Sequence, residues 1–100
     1  MSVKNLNNSD FNAETSSGVA LIDFYADWCG PCRMLAPTVR EVAEARADVL
    51  VGKVNVDKEG ELARRFGIFS IPTLVVLKDG VEVSRSLGVR SLEQILDMLD

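Results

Sequence analysis

Both cysteines of this 100-residue chain fall in one pentapeptide, Trp28-Cys29-Gly30-Pro31-Cys32. An apolar run, Val19-Ala20-Leu21-Ile22-Asp23-Phe24-Tyr25, precedes it, and a segment of helical periodicity opens at its end. Two thiols at that spacing on a strand-to-helix junction point to reversible disulfide chemistry. Residues three apart in a first helical turn hold their Cβ atoms roughly 5–6 Å apart, and a disulfide needs roughly 3.5–4.5 Å. A small local tightening separates dithiol from disulfide, so one backbone accommodates both. The pair can open and close without unfolding its surroundings.

Other chemistries are excluded by what is missing. There is no histidine, which removes Ser-His-Asp and Cys-His nucleophilic schemes and every histidine-held metal. Two cysteines supply half of a tetrahedral zinc shell, and the rest would have to come from carboxylates or a second chain. No metal is therefore expected. A structural staple fits poorly too, because small secreted scaffolds are cysteine-dense and a bridge over four residues constrains little of the unfolded chain. Net charge is −4, with no basic cluster beyond Arg64-Arg65 on the solvated face of a short helix, which argues against a nucleic-acid surface. No run approaches the roughly 18 apolar residues of a membrane span, and no signal peptide is visible at the start. The expected location is the cytoplasm, or an organelle stroma or matrix if a leader was removed. Length and a 47% hydrophobic fraction suit one globular domain over residues 1–100.

The elements that must position the pair follow from periodicity. Ser9 to Glu14 offers a short helix closed by Ser16-Ser17-Gly18. The run ending at Ala26 is apolar on both faces, as in a central strand covered on both sides. From Pro31, Leu35, Val39, Val42, Ala43 and Arg46 recur at helical steps, and Pro37 should kink that helix without ending it. Val49 to Val56 predicts a second strand, and Glu59 to Phe66 a short helix capped by Gly67. Leu74 to Leu77 and Val81 to Ser86 predict a hairpin about Lys78-Asp79-Gly80. Ser91 and Gln94 form a capping box for a last helix with Leu92, Ile95, Leu96 and Leu99 on one face. The order is helix, strand, helix, strand, helix, hairpin, helix. It predicts an α/β fold, a central mixed sheet with helices on both faces.

The segment Phe24-Tyr25-Ala26-Asp27-Trp28-Cys29-Gly30-Pro31-Cys32-Arg33-Met34 resembles the active-site segment of the thioredoxin family. The resemblance continues through Asp23, Pro37, Lys53-Val54-Asn55-Val56-Asp57, Gly67-Ile68, Ile71-Pro72-Thr73, Lys78-Asp79-Gly80, Gly88 and the closing helix. Tyr25 departs from it, standing where tryptophan is common, and Phe69 is bulky beside the Ile71-Pro72 loop. The resemblance implies a thioredoxin fold and a protein thiol–disulfide oxidoreductase with no bound cofactor beyond the redox-active Cys29–Cys32 disulfide. It implies disulfide-containing target proteins and a thioredoxin reductase as partners of a monomer. Two other readings stay open: a non-redox binding subunit, and the same chemistry run as an oxidant.

Roles follow residue by residue. Cys29 is the expected nucleophile, because a helix N-terminus favours a thiolate by roughly 0.3–2 kcal/mol. Cys32, one turn inside, is expected to resolve the mixed disulfide. Pro31 suits a first helical turn, and no imidazole lies between the cysteines to stabilise the reduced thiolate further, which favours a reductant. Asp23 is a carboxylate within an apolar strand, where burial raises its pKa. One reading makes it a proton acceptor or donor for Cys32. The other makes it a buried salt bridge with Lys53, its usual partner in the family, and the two are compatible. The resemblance implies a cis Pro72 opposite the cysteines, with the Ile71 backbone pairing an extended substrate. Trp28, Gly30, Pro31, Ile71, Pro72 and Gly88 complete the expected substrate surface. Val56 and Leu87 divide evenly between rim and core, and Phe69 extends the rim.

Overall fold

Alternation along one strand sorts the molecule into two layers. The structure is a computed structural model that describes residues 2–100. In β2 (Val19–Tyr25), Ala20, Ile22 and Phe24 pack in one core with Phe11 and Leu62. Leu21 packs in another with Leu35, Val39, Val42 and Ile95. Successive strand residues face opposite ways, so Asp23 shares the side of Leu21.

The elements run β1 (Lys4–Asn5), α1 (Phe11–Thr15), β2, α2 (Gly30–Ala45), β3 (Leu50–Asn55), α3 (Gly60–Arg65), β4 (Thr73–Lys78), β5 (Val81–Leu87) and α4 (Leu92–Met98). The five strands lie in the order β1-β3-β2-β4-β5. β1 and β2 are parallel to β3, while β4 is antiparallel to both β2 and β5. Helices α2 and α4 cover one face and α1 and α3 the other, giving the mixed sheet with helices on both sides. No described helix is long and apolar enough to cross a membrane.

Local signals explain most boundaries. The hairpin places Asp79 at φ 50° and Gly80 at φ 83°, the left-handed pair that a two-residue turn between twisted strands requires. The Gly18 N–H donates to Asp79 Oδ1 at 2.8 Å, and the Asp79 N–H donates to the Gly18 carbonyl at 2.9 Å. The capping box forms in both directions, Gln94 N–H to Ser91 Oγ and Ser91 N–H to Gln94 Oε1. Helix α2 continues through Pro37. One expectation needs correction: the order does not begin with a helix, because β1 comes first and pairs Lys4 with Gly52 and Asn5 with Lys53. On the far side, register slips between Val76 and Leu77, opposite Ser84 and Glu82, leaving Val83 as an extra residue in β5.

Gly52 is required by a close approach. A Cβ there would lie 2.5 Å from Leu6 Cδ1 and 3.0 Å from its Cγ, and Leu6 is buried in the core with Phe11 and Val54. Overpacking at such a site costs about 1–3 kcal/mol. Gly52→Ala should lose that much in denaturant melts, and adding Leu6→Ala should recover part of it. Strictly additive losses would show that Leu6 is not the obstacle.

Candidate active site

The end of β2 delivers the chain to α2 through Ala26, whose carbonyl accepts the Cys29 N–H at 3.3 Å. Cys29 is the N-cap of α2, extended at φ −88° and ψ 112°, and its Sγ accepts the Cys32 N–H at 3.2 Å. A side-chain acceptor there satisfies one of the helix's free donors. Pro31 occupies the first turn, where an amide N–H would go unused. Cys29 and Cys32 are joined as a disulfide, with Cα atoms 5.2 Å apart.

Both cysteines are buried to the same degree, but their surroundings differ. Cys29 Sγ lies 3.9 Å from the Ile71 carbonyl oxygen. Cys32 borders a cleft of about 190 Å³ that it shares with Asp23, Tyr25, Ala36 and Lys53. Cys29 Sγ meets the Ile71 backbone, while Cys32 shares its cleft with the Asp23 carboxyl.

The loop opposite the cysteines is held from both ends. The Ile71–Pro72 bond is cis, as the resemblance implies. Thr73 Oγ1 donates to the Ser70 carbonyl at 2.6 Å, and the Gly88 N–H donates to the Pro72 carbonyl at 2.9 Å. Gly88 adopts φ 83°, a conformation that suits glycine. Ile71 and Val56 pack against the cluster of Ala26, Cys29 and Cys32. Val56 also touches the α1/α3 core, so it belongs to both rim and core, whereas Leu87 is 53% exposed and is surface.

Large apolar side chains stay in solvent nearby in the chain: Trp28 at 69%, Met34 at 70% and Phe69 at 99% exposure. Trp28 is steadied by its Nε1, which donates to Asp57 Oδ2 at 2.8 Å. Neither that role of Asp57 nor the exposure of Met34 follows from periodicity. The signals for Asp57 are a charged residue ending an apolar run and its place in the stretch Lys53-Val54-Asn55-Val56-Asp57 that carries the resemblance. Arg65 is not simply solvated, since its guanidinium lies 5.0 Å from the Phe66 ring centroid and 5.5 Å from that of Phe11.

Asp23 is 4% exposed, and its Oδ1 has no hydrogen-bond partner among the described residues. Burial pushes its pKa up from 3.8 to about 7, with the Lys53 charge opposing. Lys53 lies directly across from it in β3, yet its ammonium sits 5.3 Å from the Tyr25 ring centroid. Among the described residues no ion pair joins Asp23 to Lys53, so the salt-bridge alternative is not formed here. No group of three or more acidic or cysteine side chains able to hold a metal occurs among them either.

The thioredoxin family model matches residues 2–100. This chain belongs to the thioredoxin family. It is 43% identical to the thioredoxin of Bacillus subtilis over 101 residues, covering all of this chain and 97% of that one. It is 40% identical to the thioredoxin of Chlamydia caviae, covering 98% of this chain and 96% of the relative. Among solved structures it is similar to a mutant thioredoxin from Halobacterium salinarum, with a TM-score of 0.90 and 35% identity over 98% of this chain and 88% of that one. The fold is the thioredoxin fold, and the protein is a thiol–disulfide oxidoreductase whose redox pair is Cys29 and Cys32. The binding-only reading is not favoured.

Proposed function

We propose that the protein reduces disulfides in target proteins and is recharged by a thioredoxin reductase, with Cys29 as nucleophile and Cys32 as resolving thiol. The observation that carries this assignment is the Cys32 N–H directed at Cys29 Sγ. In the dithiol the same donor, with the helix terminus behind it, favours a thiolate on Cys29 over one on Cys32. That thiolate attacks a target disulfide, forming a Cys29–target bond and releasing one target thiolate. Cys32 gives its proton to the Asp23 carboxylate, attacks Cys29 Sγ and expels the second target thiolate, which takes a proton from solvent. Two electrons pass to the target, and the Cys29–Cys32 bond remains. Asp23, with its pKa at about 7, is divided between acceptor and donor forms near neutral pH, which suits it to take and return that proton.

Trp28, Gly30, Pro31, Ile71, Pro72 and Gly88 form the surface that receives the target, with Ile71 backbone groups pairing an extended segment as an added strand would. Lys53 tunes Asp23 by its charge. Residues 1–100 act as one domain, a monomer, in a reducing compartment such as the cytoplasm or an organelle stroma or matrix. With NADPH and a thioredoxin reductase, the protein should reduce insulin disulfides catalytically, seen as NADPH consumption and precipitation of the freed insulin chains. Reduction of the Cys29–Cys32 bond without any turnover of insulin would return the protein to the binding-subunit reading.

A further inference from the structure

Tyr25 and Asp23 lie two residues apart on β2 and so share one side of the sheet. Lys53 is the neighbour of Asp23 across the β2–β3 ladder. It leans to Tyr25 instead, with its ammonium 5.3 Å from the ring centroid. An ammonium over an aromatic face gains about 0.5–2 kcal/mol without the desolvation that a buried ion pair demands.

The clefts around these residues show what that choice leaves open. Lys53 borders three of them. One, of about 190 Å³, holds Cys32, Asp23 and Tyr25. A second, of about 340 Å³ against α2, holds Asp23, Arg40 and Glu44. A third, of about 440 Å³, holds Tyr25, Asn55 and Lys58. Asp23 borders only the first two and Tyr25 only the first and third. Tyr25 and Lys53 thus also share a cleft that Asp23 does not border, and Asp23 Oδ1 stays without a partner.

We propose that Tyr25 is a positioning residue for disulfide exchange: its ring holds the Lys53 ammonium off the Asp23 carboxyl, which stays free to take the Cys32 proton. The inference rests on the Asp23–Cys32 transfer proposed above. In that transfer the Cys32 S–H bond breaks, the proton passes to the carboxylate, and the sulfur's electron pair attacks Cys29 Sγ. An ammonium paired with Asp23 would stabilise its charged form and weaken it as an acceptor. The other charged groups bordering the two clefts of Asp23 are Asp27, Arg33, Arg40 and Glu44. Arg33 is engaged by the Asp27 carbonyl at 3.0 Å, and Arg40 and Glu44 lie one turn apart with opposite signs. Leu74, across from Asp23 on β4, brings no charge. Lys53 is therefore the group whose placement decides the field at Asp23.

The test is a carboxyl-carbon NMR titration of Asp23 in the oxidised protein, repeated with and without Lys53. Tyr25→Leu should lower the Asp23 midpoint by about one unit or more, and Tyr25→Phe should leave it in place. In a Lys53→Met background, Tyr25→Leu should no longer move it. Equal shifts with and without Lys53 would mean that the ring acts only by burying Asp23, and the inference would fall. It would fall equally if Tyr25→Leu changed nothing, or if Tyr25→Phe shifted Asp23 as far as Tyr25→Leu did. The pH profile for resolution of a mixed disulfide on Cys29 should move with the carboxyl midpoint. A midpoint that moves while the profile stays put would refute the Asp23–Cys32 transfer itself, an outcome distinct from the other three.

Discussion

Cys32→Ser should capture target proteins as stable mixed disulfides on Cys29, and Cys29→Ser should capture none. The asymmetry follows from the two environments. Cys29 Sγ sits at the helix terminus beside the Ile71 backbone, while Cys32 faces the cleft that holds Asp23. Without Cys32 the first exchange proceeds and the second has no attacking thiol, so the intermediate accumulates. Without Cys29 the remaining thiol has neither the capping N–H nor the open backbone beside it. Insulin turnover should fall by more than about a hundredfold in both variants, since the two thiols act as a unit. Non-reducing gels and mass spectrometry of the captured species provide the check. Equal capture by Cys29→Ser would reverse the assignment of nucleophile and resolving thiol.

Stability should fall as pH rises, through Asp23. The folded protein holds the Asp23 proton up to about pH 7, whereas the unfolded chain releases it near 3.8. Between those values the unfolded state binds fewer protons, so stability present below pH 3.8 is lost progressively as pH rises through 7. The whole step corresponds to about 4 kcal/mol, complete by roughly pH 8. Asp23→Asn keeps the shape and removes the charge that must otherwise be buried. It should be more stable than the parent at pH 8 by about 2–4 kcal/mol, lack this pH dependence, and resolve mixed disulfides more slowly. Urea melts across pH, paired with insulin-reduction rates, measure both halves. A parent whose stability is flat from pH 4 to 8 would mean that Asp23 is not buried as a proton carrier. A stabilised variant of unchanged speed would remove it from the transfer step.

Much of this was readable in the chain because local rules decide it. Ser91 and Gln94 form their reciprocal cap within one turn, and Asp79-Gly80 supplies the φ values its turn needs. The alternating burial of β2 and the helical period after Pro31 set the layers around the cysteines. What escaped depends on contacts distant in sequence. β1 is two exposed polar residues, with no apolar pattern to betray it. Asp57 reaches Trp28 across 29 positions. Lys53 could be placed beside Asp23 from the family's habit, but its preference for the Tyr25 ring is a competition among neighbours that no spacing encodes.

The two edges of the sheet have a consequence for the company this protein keeps. One edge is only two residues long, and the other carries an extra residue at Val83 beside the Glu82–Arg85 ion pair. Long, flat edges invite other chains to zip on, and short or bulged ones refuse them. A target whose disulfides have just been cut has loosened strands of its own looking for a template. Under the function proposed above, such a strand pairs with the Ile71 loop beside the sulfurs and finds poor footing on either sheet edge. Edges of this kind favour letting an unstable client go over letting it grow as an added sheet.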